Sequence, residues 1–497
     1  MNDFAALKES EIAAWDRQVD VIVVGCGAAG VSAAIEARTT GAEVLALEAA
    51  GESGGTSAMS GGLIYLGGGT ALQKACGFED SPEQMARFLM AACGPHADEE
   101  KVRIYCEGSV AHYDWLVECG VPFTPSFWSA PTAEPWNDDG LMFSGGEDAA
   151  PFADLVKPAP RGHCPAAPTA SRHGSAGGFL LMQVLARRVA ELGVEQSNNT
   201  RVRRLVVDDR GAVVGVVARR FGQDLHLAAR RGVVLAAGGF IHDDRLLSEH
   251  APALVGTDKL GVEENDGSVL RAAMAVGAAT VHMDAGEAAF SVPPALVKPG
   301  ILVDAEGRRF INEDAYLGRV GQHGLFRRDG RVWLVFDEKI FDAAEEFRGP
   351  VQPHVVAETV EELAEETGLP VSALVETVAA YNRAAEAGRD EQFGKSGRWL
   401  EPLRSPFAAL DARGRFRTFT LGGLRTDPDG VVLDREGLPV PGLYAAGRIA
   451  SGIPATGYVS GASLGDCTFF GRRAGASAAL ARTGNSTTVE VGSCATR

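Results

Sequence analysis

The sequence predicts an α/β fold in which a discontinuous nucleotide-binding domain flanks an inserted α+β domain. A glycine motif follows an apolar strand at residues 20–30, and residues 433–448 again have the sequence character of a nucleotide-binding fold. Residues 280–410 differ, with short strands and then a charged helical region. We therefore place the N-terminal part of the nucleotide-binding domain at residues 1–279, the inserted catalytic or cap domain at 280–410, and the C-terminal part at 411–497.

The composition is that of an ordinary globular protein. The chain has 497 residues, of which 45% are hydrophobic and 23% are charged. A formal charge of −18 argues against a nucleic-acid or anionic-membrane partner, because both need a basic face. The eight cysteines form no C-x-x-C pair and no cluster with histidine, which argues against metal sites. Scattered thiols and an N-terminus without an apolar signal core lead us to expect a cytoplasmic protein with no integral membrane segment.

The glycine motif belongs to a β–α–β unit of the Rossmann type. Four β-branched residues at 21–24 predict a buried strand, residues 31–38 predict a helix, and a second apolar strand at 44–47 ends at an acidic residue. In this order the glycines allow a tight turn and close approach to a pyrophosphate, and the carboxylate can bind a ribose. The alternative is a glycine turn without a ligand. The predicted dinucleotide contacts are Gly25, Gly27, Ala28, Ala29, Gly30 and Glu48.

A second run of glycine and hydroxyl residues occupies positions 51–69. It follows the ribose carboxylate directly, so it suits a second phosphate or another polar edge of the cofactor. The alternative is a flexible loop. The predicted contacts are Gly54, Gly55, Thr56, Ser57, Ser60, Gly61 and Gly62.

Local patterns predict several further elements. Residues 122–168 are rich in proline and predict an irregular excursion. Residues 201–217 predict a hairpin that turns at 209–211. Thr359, with Glu362 three residues later, predicts a capped helix.

Six segments together resemble the fumarate reductase/succinate dehydrogenase flavoprotein superfamily. The resemblance implies FAD at the dinucleotide site and a cap domain over the flavin. Succinate dehydrogenases carry a flavin-linked histidine where this sequence has Gly55, so the resemblance implies non-covalent FAD. The matching segments are residues 20–30, 54–62, 235–239, 307–314, 421–424 and 442–448.

Two stretches that supply dicarboxylate-binding residues in fumarate reductases read differently in this sequence. That family places histidine and arginine where this sequence reads Thr-Phe-Thr at 418–420 and Ala-Tyr-Leu at 315–317. A dianionic substrate needs fixed cationic donors. Arg319 and Arg448 remain as candidate cations.

The C-terminal turn resembles that of the 3-ketosteroid dehydrogenases. Residues 457–461 read Gly-Tyr-Val-Ser-Gly, and the Tyr-x-Ser-Gly pattern is similar to the Δ4-(5α) group, whereas Δ1 enzymes tend to have Tyr-Pro-Gly. The segments 313–319 and 446–454 are also similar to the Δ4 group. The alternatives are a Δ1-dehydrogenase, a reductase of small unsaturated acids, and a catalytically silent flavoprotein that acts as a binding or assembly module.

The resemblance also implies catalytic roles. The Tyr458 hydroxyl and the Ala462 N–H would hold the carbon-3 ketone of a 3-ketosteroid, as an oxyanion hole does. Ser460 would accept the carbon-4 proton and Tyr316 would relay it toward solvent. Packing roles for the two tyrosines, and helix capping by Ser460, are the alternatives.

The remaining predicted contacts with FAD also come from the superfamily pattern. Ser463 and Leu464 begin the last helix, whose N-terminus would favour negative charge on the flavin. The substrate would be an apolar ketone, and the electron acceptor is not identified by the sequence. The other predicted contacts are Val202, Ala237, Gly238, Asp266, Gly447 and Arg448.

Overall fold

The computed structural model describes residues 4–167 and 176–481. The predicted N- and C-terminal parts of the nucleotide-binding domain also include residues 1–3, 168–175 and 482–497, which lie outside the described residues. The described chain mixes α-helices with parallel and antiparallel strands, which confirms the α/β prediction.

The strands of the described residues, in chain order, are β1 Leu7–Lys8, β2 Arg17–Val24, β3 Val44–Leu47, β4 Ile64–Tyr65, β5 Thr124–Trp128, β6 Asp139–Met142, β7 Gly162–His163, β8 Glu195–Ser197, β9 Thr200–Val207, β10 Val213–Arg220, β11 Gln223–Leu235, β12 Asp258–Lys259, β13 Thr280–Val281, β14 Gly286–Phe290, β15 Ile301–Asp304, β16 Val332–Asp337, β17 Val355–Ala357, β18 Phe407–Asp411, β19 Phe416–Thr420, β20 Gly423–Leu424, β21 Val431–Leu433 and β22 Pro439–Ala445.

The α-helices of the same residues are α1 Ala28–Thr39, α2 Gly55–Ala58, α3 Ala71–Ala75, α4 Pro82–Ala92, α5 Glu99–Glu118, α6 Phe152–Leu155, α7 Ala176–Glu191, α8 Asp244–His250, α9 Ser268–Ala275, α10 Pro294–Val297, α11 Leu317–Arg328, α12 Glu338–Ala343, α13 Val360–Thr367, α14 Val371–Glu386 and α15 Ala462–Leu480.

The largest sheet carries the predicted nucleotide-binding unit. Its strands follow the order β1-β9-β10-β11-β2-β3-β8, and β22 pairs with β11 and β21. β2 lies between β11 and β3 and is parallel to both. Residues 21–24 are buried, which explains their unbroken apolar pattern. The return of β22 to this sheet confirms that sequence-distant segments build one nucleotide-binding fold.

Two hydrophobic cores cover the faces of this sheet. One includes buried residues of α1, α7 and α15, and the other includes residues of α8 and α9. α1 and α15 approach closely: a Cβ on Gly471 or Gly475 would lie 2.4 Å or 2.2 Å from a carbonyl oxygen of α1. These two glycines therefore let the last helix lie against the first.

The local predictions are mostly confirmed. β9 and β10 form the predicted hairpin, although β10 continues to Arg220 and pairs with β11 as well. Thr359 and Glu362 form the predicted capping box at α13. The prediction of an irregular excursion at 122–168 was incomplete, because β5, β6 and β7 form a small sheet there with β4. These strands are too short to show a clear sequence period.

The inserted region has its own sheet and core. β15, β16, β18 and β17 form a four-stranded sheet, and α13 and α14 contribute to its hydrophobic cluster. A buried ionic cluster lies here: Arg309 pairs with Glu313 at 2.6 Å and with Asp390 at 2.9 Å, and Lys395 is 3.4 Å from Glu313.

A separate small sheet joins the inserted region to the rest of the chain. β19 pairs with β14 on one side and with β12 on the other. β19 lies beyond residue 410 in the sequence and β12 lies before residue 280. The exact boundaries of the inserted domain stay a prediction, but this sheet places β14 and β19 side by side. That pairing brings two parts of the candidate site together.

Candidate functional site

The predicted phosphate loop lies between β2 and α1. Gly25 has a φ of +96°, a region that favours glycine. A Cβ on Gly30 would lie 1.8 Å from the Gly25 carbonyl oxygen. Glycine is therefore required at both positions by the protein itself, at one for the turn and at the other for close packing.

Gly27 has a different reason to be glycine. The nearest atom to a Cβ built there is Ser57 Oγ, at 3.6 Å, so a side chain would meet no steric clash with the described protein. Packing within the described protein therefore does not require glycine here, and the contact of Gly27 with a phosphate stays a prediction. Ala28 and Ala29 form the first turn, where backbone N–H groups attract phosphate, and the Ala28 N–H donates to Ser57 Oγ at 3.2 Å.

Glu48 lies directly after β3, where the sequence predicts a ribose-binding carboxylate. It is buried, and its two oxygens accept the N–H groups of Cys26 at 2.7 Å and Ala50 at 2.8 Å. Each carboxylate oxygen has a second lone pair. The group is therefore fixed beside the phosphate loop and can still accept a hydrogen bond from a ribose.

The glycine and hydroxyl run folds back onto the phosphate loop. Gly54 donates its N–H to the Cys26 carbonyl at 3.0 Å, and α2 begins at the next residue. Gly55 has a φ of +49°, and a Cβ built there would have no protein atom within 4 Å. The position at which related enzymes carry a flavin-linked histidine thus has no side chain here.

The end of this run packs against α7. The Ser60 carbonyl accepts the Gly178 N–H at 3.2 Å. A Cβ on Gly62 would lie 2.3 Å from the Gly177 carbonyl carbon. Ser60, Gly61 and Gly62 therefore have a packing role in the structure, and their contact with the cofactor stays a prediction.

Thr56 has a partner that the sequence analysis missed. Its hydroxyl accepts hydrogen bonds from the Val262 N–H at 3.1 Å and from Asn265 Nδ2 at 2.9 Å. Asn265 also lies against the predicted contact Gly238, where a Cβ would approach its Oδ1 to 1.9 Å. The superfamily pattern points instead to the neighbouring Asp266, which is the predicted contact.

Asp266 has two protein partners. Its carboxylate accepts from Arg201 Nη1 at 2.7 Å and from the Ser268 N–H at 2.9 Å. Its side chain is 36% exposed, so Asp266 lies at the protein surface rather than in the interior. A contact between Asp266 and the ribityl chain stays a prediction.

The two other predicted segments lie next to the loop. The Thr200 N–H donates to the Glu48 carbonyl at 2.8 Å, so β9 and its buried Val202 start beside the ribose carboxylate. The turn that contains Ala237 follows β11, and a Cβ on Gly25 would lie 2.5 Å from the Ala236 carbonyl oxygen. Strand pairing therefore gathers these segments at one edge of the sheet.

Buried polar atoms without partners lie near the start of α15. Arg448 Nε and Nη2 and the Ser463 hydroxyl make no hydrogen bond within the part of the chain that the structure describes. Arg448 Nη2 lies 3.8 Å from Asp466 Oδ2, close enough for charge attraction but too far for a hydrogen bond. Gly447, just before it, packs against Ala29 of α1. Because buried polar groups need partners, these atoms fit a polar ligand such as the flavin ring.

Three aromatic side chains from separate segments meet near the start of α15. Tyr458 lies in the turn before α15, Tyr316 immediately precedes α11, and Phe419 is in β19. The ring centroids of Tyr458 and Phe419 are 5.3 Å apart, and those of Tyr458 and Tyr316 are 6.3 Å apart. The structure therefore brings the two predicted tyrosines together.

Tyr458 is well placed to donate a hydrogen bond. Its oxygen accepts the Ser463 N–H at 3.3 Å, which leaves the phenolic hydrogen free for another partner. Burial raises the pKa of Tyr458 to about 12, so the phenol is protonated at neutral pH. The Ala462 N–H donates to the Val459 carbonyl at 3.0 Å. Its predicted contact with a ketone stays a prediction and requires that the N–H be shared.

Tyr316 connects Ser460 to a residue that the sequence analysis missed. Its hydroxyl donates to Glu287 Oε1 at 3.0 Å. Burial and Glu287 raise the pKa of Tyr316, and a hydrogen bond with the Ser460 side chain acts in the opposite direction. Glu287 is fully buried in β14. An isolated glutamate in an apolar strand gives no sequence signal, and only the pairing of β14 with β19 places it here.

The two candidate cations each lie against another side chain of the described structure. The Arg319 guanidinium lies over the Phe152 ring, 5.1 Å from its centroid, and burial lowers its pKa. Burial and neighbouring arginines lower the pKa of His323 to about 4, so it is neutral at pH 7. Arg448 faces Asp466. The three aromatic residues thus form an apolar, hydroxyl-bearing surface.

The described ranges 4–167 and 176–481 contain no group of three or more histidine, cysteine, aspartate or glutamate residues that could hold a metal ion. They also contain no helix that combines the length and the apolar character needed to cross a bilayer.

Comparisons with known proteins agree with this geometry. Residues 20–464 match the model of a family described as FAD binding domain. A crystal structure of 3-ketosteroid-Δ4-(5α)-dehydrogenase from Rhodococcus jostii RHA1, in complex with 4-androstene-3,17-dione, is 50% identical, with a TM-score of 0.92 over 96% of this chain and 99% of that one.

More distant relatives show the breadth of the family. A 3-oxo-5-alpha-steroid 4-dehydrogenase from Comamonas testosteroni is 26% identical over 87% of this chain and 93% of its own length. A probable fumarate reductase from Shewanella frigidimarina is 29% identical over 92% of this chain and 74% of its own length. The chain therefore belongs to the FAD-binding family of the fumarate reductase/succinate dehydrogenase flavoprotein superfamily, and it is an FAD-dependent oxidoreductase.

Proposed function

We propose that this protein is a 3-ketosteroid Δ4-(5α)-dehydrogenase, which introduces the double bond between carbons 4 and 5 of a saturated 3-ketosteroid. The observation that carries the proposal is the meeting of Tyr458, Tyr316 and Phe419 beside the FAD-binding fold. Aromatic surface suits an apolar polycyclic substrate, and two phenols can bind or relay protons for a ketone. The half-identical enzyme from Rhodococcus jostii, with its bound 4-ene-3-one steroid, supports the same chemistry.

Tyr458 is proposed to hold the carbon-3 ketone. A neutral phenol donates to the ketone and stabilises the negative charge that develops on its oxygen as the neighbouring proton leaves. The Ser463 N–H, which donates to the same phenol at 3.3 Å, makes Tyr458 a better donor. The Ala462 N–H at the same helix start is the proposed second donor.

Ser460 is proposed to take the carbon-4 proton. A serine hydroxyl is a weak base, so it needs a partner that accepts its own proton. The Tyr316 phenol, whose raised pKa the Ser460 side chain partly lowers, is the proposed partner. The proton thus moves away from the steroid through two hydroxyl groups.

FAD supplies the oxidising power, because its ring accepts a hydride when it is bound. For the nucleotide half of FAD, the proposed protein contacts are the phosphate loop, Glu48 and the run of glycine and hydroxyl residues that contains α2. Arg448, Ser463 and Leu464 are the proposed contacts of the flavin half. The partnerless atoms of Arg448 and Ser463 support this assignment.

Anaerobic reduction of the flavin tests the proposed function. The purified holoenzyme is mixed with 5α-androstane-3,17-dione under anaerobic conditions, and the flavin absorption is followed. We expect bleaching together with a new enone absorption. Unchanged flavin absorption would contradict the proposal and would favour a silent binding module.

Product analysis separates the remaining alternatives. A double bond between carbons 1 and 2 would identify a Δ1-dehydrogenase. Oxidation of a reduced dye by fumarate-like acids would identify a reductase of small unsaturated acids.

A cytoplasmic location is also proposed, supported by the seven described cysteines, all of which are free thiols. Cell fractionation tests it.

A further inference from the structure

Glu287 is a buried carboxylate that the mechanism above does not use. It lies in β14 with no solvent exposure, and its Oε1 accepts the Tyr316 hydroxyl at 3.0 Å. Its Oε2 is buried and has no hydrogen-bond partner within the described ranges. A carboxylate in such a place costs free energy that a purely structural residue would avoid, because an apolar side chain could fill the same space.

The surroundings hold Glu287 against Tyr316. A Cβ on Gly318 in α11 would lie 1.9 Å from Glu287 Oε1, so glycine is needed for this carboxylate to reach the tyrosine. Gln322, one turn further along α11, donates to the Gly286 carbonyl at 3.0 Å and ties the helix to β14. Two contacts between α11 and β14 thus fix the distance between the phenol and the carboxylate.

Among the residues that the structure describes, no cation pairs with Glu287. The titratable groups that face it are Tyr316, which precedes α11, and Tyr458, from the turn before α15. Arg319 of α11 lies over Phe152 instead. Burial therefore dominates and raises the pKa of Glu287 to about 8.

We propose that Glu287 receives, through Tyr316, the proton that Ser460 takes from the steroid. The carbon-4–hydrogen bond breaks, and its proton passes to the Ser460 oxygen. The Ser460 hydroxyl gives its own proton to the Tyr316 oxygen, and the Tyr316 hydroxyl gives its proton to Glu287 Oε1. The electron pair stays with the steroid, and both hydroxyl groups end as they began. Glu287 changes from carboxylate to carboxylic acid.

Glu287 is accordingly a positioning residue, since it acts through Tyr316 and does not contact the steroid. The inference rests on the proposed function, because it concerns the proton that the proposed reaction releases. It adds a requirement: the group that ends the relay must be ionised before each turnover. The rate of flavin reduction should therefore rise with pH as Glu287 ionises.

The test is the pH profile of flavin reduction by 5α-androstane-3,17-dione in the holoenzyme. For a group with a pKa near 8, the ionised fraction rises about tenfold between pH 7 and pH 9. We expect the rate constant to rise by about that factor in the natural enzyme. Glu287→Gln keeps an oxygen that accepts from Tyr316, so we expect it to bind FAD, to react at least tenfold more slowly at pH 9 and to lose the rise.

Two further variants exclude a structural explanation. Glu287→Asp keeps a carboxylate, and we expect a slower reaction that retains a rise with pH. Glu147 is the matched control, since it is fully buried, its pKa is raised by burial to about 7, and it accepts the Gly145 N–H at 2.8 Å. Glu147→Gln should keep the rise near pH 8.

A second readout does not depend on activity. Because the pKa of Glu287 is raised in the folded state, the native protein binds more protons than the unfolded chain between the two pKa values. Its contribution to stability is therefore present at pH 4.5 and below and is lost as the pH rises through about 8. We expect the unfolding midpoint of Glu287→Gln, relative to the natural enzyme, to increase from pH 5 to pH 9.

The outcomes separate the two proposals. No flavin reduction by the natural enzyme at any pH would refute the proposed steroid reaction itself. Three other results would overturn only the role of Glu287. The natural enzyme could reduce its flavin with a flat pH profile, the rise could persist in Glu287→Gln, or Glu147→Gln could remove the rise. A parallel change in the unfolding midpoints of the natural enzyme and Glu287→Gln would also overturn it.

Discussion

At the scale of residues, the proposed site differs from an acid-binding pocket in the kind of group that it offers to a substrate. Phenols and a phenylalanine ring replace guanidinium and imidazole. A fixed cation would suit a dianion, whereas Tyr458 presents a neutral donor. A phenol is protonated at neutral pH even at its ordinary pKa, and burial raises the pKa of Tyr458 further, to about 12.

Removal of the Tyr458 hydroxyl tests this difference. In Tyr458→Phe we expect flavin reduction by 5α-androstane-3,17-dione to slow by about 10²–10³-fold, the usual effect of losing one oxyanion donor. The ring and its 5.3 Å contact with Phe419 are retained, so FAD content should not change. Tyr444→Phe, a buried tyrosine in β22, is the control and should react at the natural rate. Equal rates in both variants would remove Tyr458 from the mechanism.

At the scale of elements, the phosphate loop shows how two glycines in one motif have different causes. Gly30 is required because a Cβ would meet the Gly25 carbonyl oxygen at 1.8 Å. Gly27 has a φ of −76°, which alanine adopts without strain, and its Cβ would meet no close protein atom. The fold therefore requires one glycine, and the other is proposed to leave room for the ligand.

The paired alanine variants separate these two causes. Gly27→Ala should fold with a free energy of unfolding within about 1 kcal/mol of the natural protein when both are free of FAD. Its affinity for FAD should fall at least tenfold, because the methyl group occupies the ligand's space. Gly30→Ala should lose about 3 kcal/mol or more of stability from backbone overlap. Denaturant unfolding and FAD titration measure both effects, and tight FAD binding by Gly27→Ala would contradict the proposed pyrophosphate position.

At the scale of the whole molecule, the site forms where two bodies of secondary structure meet. The nucleotide-binding sheet supplies the phosphate loop, and the small sheet of β12, β19 and β14 joins the inserted region to the rest of the chain. Tyr316 immediately precedes α11 and Glu287 lies in β14, while Tyr458 and Ser460 lie in the turn before α15. A ligand that spans this junction should stabilise the molecule as a unit.

The absence of a side chain at position 55 gives a prediction at this scale. Denaturation in acid should release all of the flavin into solution as intact FAD, because Gly55 offers no atom for a covalent bond. Removal of FAD should lower the unfolding midpoint, and free FAD at one hundred times its dissociation constant should restore about 2.7 kcal/mol. Flavin absorbance in the supernatant and in the protein pellet measures the release. Flavin that remains in the pellet would contradict non-covalent binding.

The sequence by itself determined the nucleotide-binding unit and the superfamily. The strand at 21–24, the phosphate loop and Glu48 lie within 30 residues of one another, so short-range patterns of apolar residues and glycine predict their arrangement. The predicted pair of tyrosines also came from motifs, because each lies in a short segment that resembles the family.

Only the tertiary structure decided what surrounds those motifs. Glu287 meets Tyr316 because β14 pairs with β19 and packs against α11, and Asn265 meets Thr56 across about two hundred residues of chain. The Ala462 N–H is engaged by the turn itself, a detail of backbone geometry. Such contacts depend on long-range packing, which leaves no period or spacing in the sequence. For that reason the sequence did not predict the role of the buried Glu287, and only the tertiary structure shows its contact with Tyr316.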